Sequence, residues 1–77
     1  MTESHCRITL DDFKIWETSY HVLHREDGPA MECPDGRKYW YIGGELLIPE
    51  EVIYDINYKE TYPKLIESMI VYLVHNS

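Results

Sequence analysis

Basic residues are scarce. Seven Lys and Arg stand against fourteen Asp and Glu, for a formal charge of −7 and a pI near 4.9. Nucleic-acid affinity comes mainly from cations that displace counterions from phosphates, so direct binding to DNA or RNA is not expected. The seven are also scattered, with Arg37-Lys38 the one adjacent pair. Cysteine is nearly absent: Cys6 and Cys33 form one bridge at most, and free buried thiols are expected in a chain without a secretion-type start. His5, Cys6, His21, His24 and Cys33 include no Cys-x-x-Cys. On a strand, His21 and His24 would point to opposite faces, so no metal is expected. No apolar run approaches the ~18 residues of a membrane span. The first five residues, Met1-Thr2-Glu3-Ser4-His5, lack a basic start and an apolar run. The expected setting is cytoplasmic, with no membrane partner.

What remains is the composition of a globular domain: 44% apolar and 27% charged residues in 77 positions and 9.2 kDa. Such a chain buries roughly 60% of its unfolded surface, enough for one thin core. A single domain over 1–77 is expected, with a β-repeat in 6–48 and a helical cap in 49–77. The β part shows internal repetition. A shift of 24 residues aligns Asp11 with Asp35, Lys14 with Lys38, Trp16 with Trp40 and Leu23 with Leu47. Both tryptophans of the chain fall in register, which suggests two stacked supersecondary units with Trp16 and Trp40 in equivalent environments. In the second unit Pro34-Asp35-Gly36 is a turn, the aromatic-rich segment 37–42 a strand, Gly43-Gly44 a tight hairpin turn and 45–48 the returning strand. The first unit maps to strands near 7–10, 13–18 and 21–24. Its Ser19-Tyr20 is poor chemistry for a tight primed turn, so a longer or bulged loop is expected there. With 30–33, the sum is an antiparallel meander of about six short strands.

After Ile48 the pattern changes. Pro49-Glu50-Glu51 reads as a helix start, with carboxylates beside the positive end of the dipole, and predicts a helix to about Lys59. Pro63 interrupts it and opens a second helix. Leu65, Ile66, Met69, Ile70, Leu73 and Val74 form a core-facing stripe, with Lys64, Glu67, Ser68, Val71 and His75 on the other side. The β-branched Ile70-Val71 pair leaves an extended tail as the alternative. The fold class is therefore α+β, a hairpin-repeat sheet covered by one or two C-terminal helices.

The segment His24-Arg25-Glu26-Asp27-Gly28-Pro29-Ala30, followed by Gly36-Arg37-Lys38-Tyr39-Trp40-Tyr41-Ile42-Gly43-Gly44 within 34–44, resembles a repeat of phage and large-virus proteins. There a His-Arg-x-Asp-Gly-Pro-Ala segment alternates with Gly-x-x-x-Trp-Tyr-x-x-Gly. The repeat is distantly similar to MORN-type hairpins. The resemblance spans about 21 contiguous residues, and about 35 with the degenerate first copy; it implies hairpin repeats and a phage origin, and carries over no catalytic residue.

Within the motif, His24, Arg25 and Asp27 place a base, a cation and an acid within four residues. Architecture explains them more simply: Asp27 accepting turn N–H groups, Arg25 forking onto a carboxylate or backbone, His24 packing over a tryptophan. No nucleophile elbow, phosphate loop or triad order is present, so neither catalysis nor a cofactor is expected. Strand alternation sends Trp40 to one face and Tyr39 and Tyr41 to the other, where they are either contact residues or covered by flanking loops. Val71, on the polar side of its helix, is a second contact candidate. Three functions follow. The first is an acidic accessory protein that binds a host or viral protein, an anti-defence inhibitor being its concrete form. The second is a small-ligand or nucleotide binder using Tyr39, Tyr41, Arg25 and Arg37. The third is a homo-oligomeric structural module. Nucleic-acid mimicry, a variant of the first, needs Glu45, Glu50, Glu51, Asp55 and Glu60 aligned on one surface.

Overall fold

A computed structural model describes residues 4–75. Five strands form one antiparallel meander in chain order: β1 (His5–Ile8), β2 (Lys14–Glu17), β3 (Met31–Glu32), β4 (Lys38–Ile42) and β5 (Glu45–Leu47). Three helices follow: α1 (Pro49–Val52), α2 (Ile56–Thr61) and α3 (Pro63–His75). The molecule is a plate of 34 × 31 × 16 Å, one sheet and one helical layer thick.

The 24-residue repeat is visible in the backbone. In the β1–β2 turn, Thr9 N–H donates to Phe13 O at 2.8 Å and Asp12 N–H to Thr9 O at 3.1 Å. Twenty-four residues on, Cys33 N–H donates to Arg37 O at 2.8 Å and Gly36 N–H to Cys33 O at 3.0 Å. The left-handed position is Asp12 (φ 66°) in one turn and Gly36 (φ 95°) in the other. Asp is among the few L-residues that tolerate it.

The second turns differ. Gly43-Gly44 closes β4–β5 with two residues, Ile42 facing Glu45. In the first unit Thr18 N–H bonds Val22 O at 2.9 Å, so three residues form the loop, with His21 left-handed (φ 63°). The extra residue slips the return by one, and Leu23 faces Glu17 instead of Trp16.

That slip and the motif loop explain why five strands form and not six. Leu23 sits opposite Glu17, and Ala30 bonds to Trp16. Segments 21–24 and 30–33, expected as two successive strands, therefore share one slot between β2 and β4, and residues 25–29 loop out between them. Trp16 closes the base of this loop: its N–H donates to Ala30 O at 2.8 Å and its C=O accepts His24 N–H at 3.0 Å. Arg25 N–H to Tyr41 O and Gly44 N–H to Leu23 O tie the same segment to the β4–β5 hairpin. Residues 21–24 thus make only an isolated bridge.

Cross-strand partners share a face and neighbours along a strand alternate. Register therefore places Trp16, Ala30, Trp40 and Leu47 on one face, and Arg7, Ile15, Met31, Tyr39, Tyr41 and Leu46 on the other. The core lies on the first, where Trp40 and Leu47 pack with Leu65, Ile66 and Met69 of α3. Val52, Ile53, Tyr58 and Tyr62 close its sides. Ala30 is fully buried between the two indole positions.

Trp16 and Trp40 share a face but not an environment. Trp40 is 1% exposed beneath α3, whereas Trp16 is half-buried beneath Arg25. The helical layer is long enough to cover only the second unit.

The single helix expected from Pro49 to about Lys59 is broken. Pro49 opens α1, but Asp55 accepts the N–H of Asn57 at 2.9 Å and caps a separate α2. Tyr62, before Pro63, takes φ −131°, ψ 65° outside the helical region, as a residue preceding proline does. The tail is helical, yet rotated from the expected stripe. Leu65, Ile66 and Met69 are buried, while Ile70 and Val74 are exposed. Tyr72 turns inward and meets Trp40 edge-on at 5.1 Å between ring centroids. Ser68 also faces inward: its hydroxyl accepts Trp40 Nε1–H at 2.9 Å and donates to Leu65 O at 2.7 Å. A buried indole N–H requires an acceptor, and this pair sets the rotation of the helix.

Candidate functional site

The motif loop is built from its own contacts. His24, buried at 6% exposure, accepts Gly43 N–H at Nδ1 (2.8 Å), so its proton sits on Nε2, which donates to Glu26 Oε2 at 2.9 Å. It joins the motif loop to the β4–β5 turn rather than packing over a tryptophan. Arg25 takes that place, its guanidinium 3.9 Å from the centre of the Trp16 ring. Arg25 Nε donates to Asp27 at 2.9 Å and Nη1 to Pro29 O at 3.1 Å. A Cβ on Gly28 would lie 2.9 Å from Arg25 Cζ, so glycine is what lets the guanidinium settle. Asp27, expected to accept turn N–H groups, accepts instead from Arg25, and each polar side chain of the cluster is directed to a contact within the fold.

The five contact candidates do not converge. Tyr39, Tyr41 and Arg37 belong to the face away from the helices. Tyr39 and Arg37 line a shallow groove there with Phe13, Met31, Cys33 and Asp35. Arg37 Nε donates to Asp35 Oδ2 at 2.8 Å. The Asp35 carboxyl is held below its ordinary pKa, first by the Arg37 backbone N–H and then by that guanidinium; Arg37 is pushed up by the same partnership. Across this face, Arg7 Nε donates to Glu17 at 2.8 Å, and this bond lowers the Glu17 pKa against the desolvation that raises it.

Arg25 and Val71 lie on the helical side. There a cleft of ≈ 630 Å³ separates α3 from the motif loop, between Asp27, Gly28 and Pro29 on one bank and Lys64, Glu67 and His75 on the other. Its floor carries Glu32, contacted by Lys38 at 3.2 Å and Arg25 at 3.7 Å. Three of the chain's seven cations, Arg25, Lys38 and Lys64, line it. Charge scatter along the sequence hid that concentration, which arises only when α3 folds back over β3 and β4. Val71 borders this cleft and also a second groove of ≈ 350 Å³ made with Lys59, Pro63, Ile66, Glu67 and Ile70. It is therefore a ridge between two hollows, half exposed.

The acidic candidates Glu45, Glu50, Glu51, Asp55 and Glu60 are all exposed, on β5, α1, the α2 cap and α2. Glu45 and Asp55 converge on Tyr58. Desolvation raises the pKa of this phenol first, and the two carboxylates raise it further. Asp55 is also the α2 cap, so its charge has a structural use.

Cys6 and Cys33 are both unbridged, but neither is buried as expected: Cys6, on the exposed strand β1, is open to solvent and Cys33 is half-buried. Among the described residues, no three His, Cys, Asp or Glu side chains are grouped to hold a metal ion, and no helix is long and apolar enough to cross a membrane. No protein-family model matches the chain, and no similar curated protein or solved structure was found.

Proposed function

We propose that this chain is a small acidic accessory protein of the phage type that binds a host protein and inhibits or redirects it, without catalysis of its own. The observation that carries the reading is the outer side of α3, where Ile70, Val71 and Val74 are 46%, 50% and 67% exposed. A helix apolar on both sides, with one side already in a core, is a helix with surface left to bury. Val71 stands between two concavities, the arrangement in which a ridge and its flanking hollows meet a complementary surface. The resemblance to phage repeats and the −7 charge support a host partner, with a basic patch on it favoured by the acidic surround. The test is affinity capture from host lysate with the wild-type chain and a folded Ile70→Glu/Val71→Glu variant. A stoichiometric partner held by the first and lost by the second is expected; equal capture by both rejects this surface.

A second reading rests on the cleft. Its volume is that of small-molecule sites, and it gathers Arg25, Lys38 and Lys64 beside the apolar Pro29, Val71 and Tyr72. Asp27 and Glu32 already pair with Arg25 and Lys38 there, and Glu67 also lines the cleft, so Lys64 is the cation that would meet the anionic group of a small ligand with an apolar body. The residues first expected to share such a site fall on opposite faces, so Arg25 alone carries over, joined by the two lysines. Thermal shifts with a panel of nucleotides, repeated on Lys64→Ala, test it; no shift by any of them removes this reading.

A further inference from the structure

The face of the sheet opposite the helices is covered by no element of the described chain. Phe13, Met31 and Cys33 line its groove with Tyr39, and Tyr41 and Leu46 share the same face by register. From this face we infer that two copies of the chain associate sheet to sheet, giving a β-sandwich with the helical layers outside. Four observations commit the occupant to a second copy.

The first is charge. The ionised groups on this face, Arg7, Glu17, Asp35 and Arg37, sum to zero and are already paired at 2.8 Å in each case, while the chain as a whole carries −7. Bringing two such faces together leaves no charge unpaired and adds no like charge at the interface. The second is area. The broad extents of the whole molecule, 34 × 31 Å, set an upper bound on this face that lies above the ~800 Å² per partner buried in a stable specific interface. The third is surplus surface. The chain exposes 5438 Å², against roughly 4,900 Å² expected of a folded monomer of its mass. The fourth is the thinness of the core. Among the described residues seven apolar side chains are buried, and Ile15 is the one of them on this face, screened by its cross-strand neighbours Arg7 and Met31. Domains of this size have little stability to spare, and association is one of the routes that add to it. Burial of this face against a second copy would thicken the core without any further element of the chain.

The packing follows sheet geometry. Twisted sheets stack about 10 Å apart with strands within ~30° of each other. A two-fold axis in the plane of the interface would set Tyr39 and Tyr41 of one copy among Phe13, Met31 and Leu46 of the other. The α3 ridge stays free on the outside, so the two surfaces fail or succeed separately.

Sedimentation velocity on the full chain at about 10–200 µM tests the proposal. A species of twice 9.2 kDa is expected. It should be lost in Tyr39→Glu/Tyr41→Glu and kept in Ile70→Glu/Val71→Glu. Because two −7 bodies repel at long range, raising NaCl from roughly 50 to 500 mM should tighten association. A wild-type monomer throughout overturns the proposal, as does a dimer that survives the tyrosine variant or is lost in the α3 variant. Should the tyrosine variant fail to fold, spin labels decide. In a Cys6→Ser/Cys33→Ser background, labels on Leu46→Cys should lie nearer to each other across the dimer than labels on Val71→Cys. The reverse order places the contact on the helices and overturns it.

Discussion

Gly28 carries no side chain because Arg25 lies where one would be, and this one vacancy organises the motif loop. The guanidinium is held by Trp16, Asp27 and Pro29 O at once. Gly28→Ala should displace it from the indole, lowering stability by about 1 kcal/mol, the order of an exposed cation–π contact. Urea unfolding gives the magnitude, and a shifted tryptophan emission marks Trp16 as the indole affected. An unchanged emission with unchanged stability would show that Arg25 contributes nothing there. His24 is the second hinge of the loop. His24→Ala leaves the Gly43 N–H and Glu26 without their partner, and a loss of about 1–3 kcal/mol is expected if water cannot replace it. Glu17 responds to pH. Its folded pKa lies below its unfolded one, so its contribution is present above about 4.5 and is lost as pH falls through the folded value. Stability should decline on acidification, and Glu17→Gln should flatten part of that decline in denaturation curves recorded from neutral pH downward.

At the scale of elements, α3 is positioned by one hydrogen bond as much as by its apolar stripe. Trp40 Nε1–H finds Ser68 Oγ, and that contact turns Tyr72 inward and Ile70 and Val74 outward. Ser68→Ala should cost about 1–3 kcal/mol through the orphaned indole N–H, and Met69→Ala about 2–5 kcal/mol through the cavity it leaves. Chemical denaturation of both variants checks the order, Met69→Ala being the weaker protein. Hydrophobic periodicity made the helix legible but not its azimuth, because Ser68 reads as polar in one dimension and as a buried acceptor in three. The turns were legible to the degree that their chemistry is local. Pro34-Asp35-Gly36 and Gly43-Gly44 declare their backbone conformations, and the poor turn chemistry of Ser19-Tyr20 marked the loop that became three residues long. The looping-out of 25–29 had no such signal. It depends on Trp16 bonding to both Ala30 and His24, a closure between residues far apart in the chain. The break between α1 and α2 was legible in principle, since Asp55 is a preferred cap, but Val52, Ile53 and Ile56 kept a helical spacing across it.

At the scale of the whole molecule, a repeated sequence has produced two units of unequal burial. The second has α3 over Trp40 and Leu47; the first has Arg25 over Trp16, and all four residues of β1 are exposed. Local stability follows buried contact and not repeat identity. Amide hydrogen exchange should therefore be graded across one continuous sheet, with β4 and β5 protected nearly to the global unfolding limit and β1 opening at lower cost. The sheet-to-sheet dimer refines this expectation: it shields both units on the outer face, so protection in β2 and β3 should rise with protein concentration while β1, at the free edge, gains least. Uniform protection from β1 to β5 would mean that the two hairpins unfold as one unit and that the helical layer is not what stabilises the second. Protection that is graded but independent of concentration would keep the inequality of the units and remove the dimer.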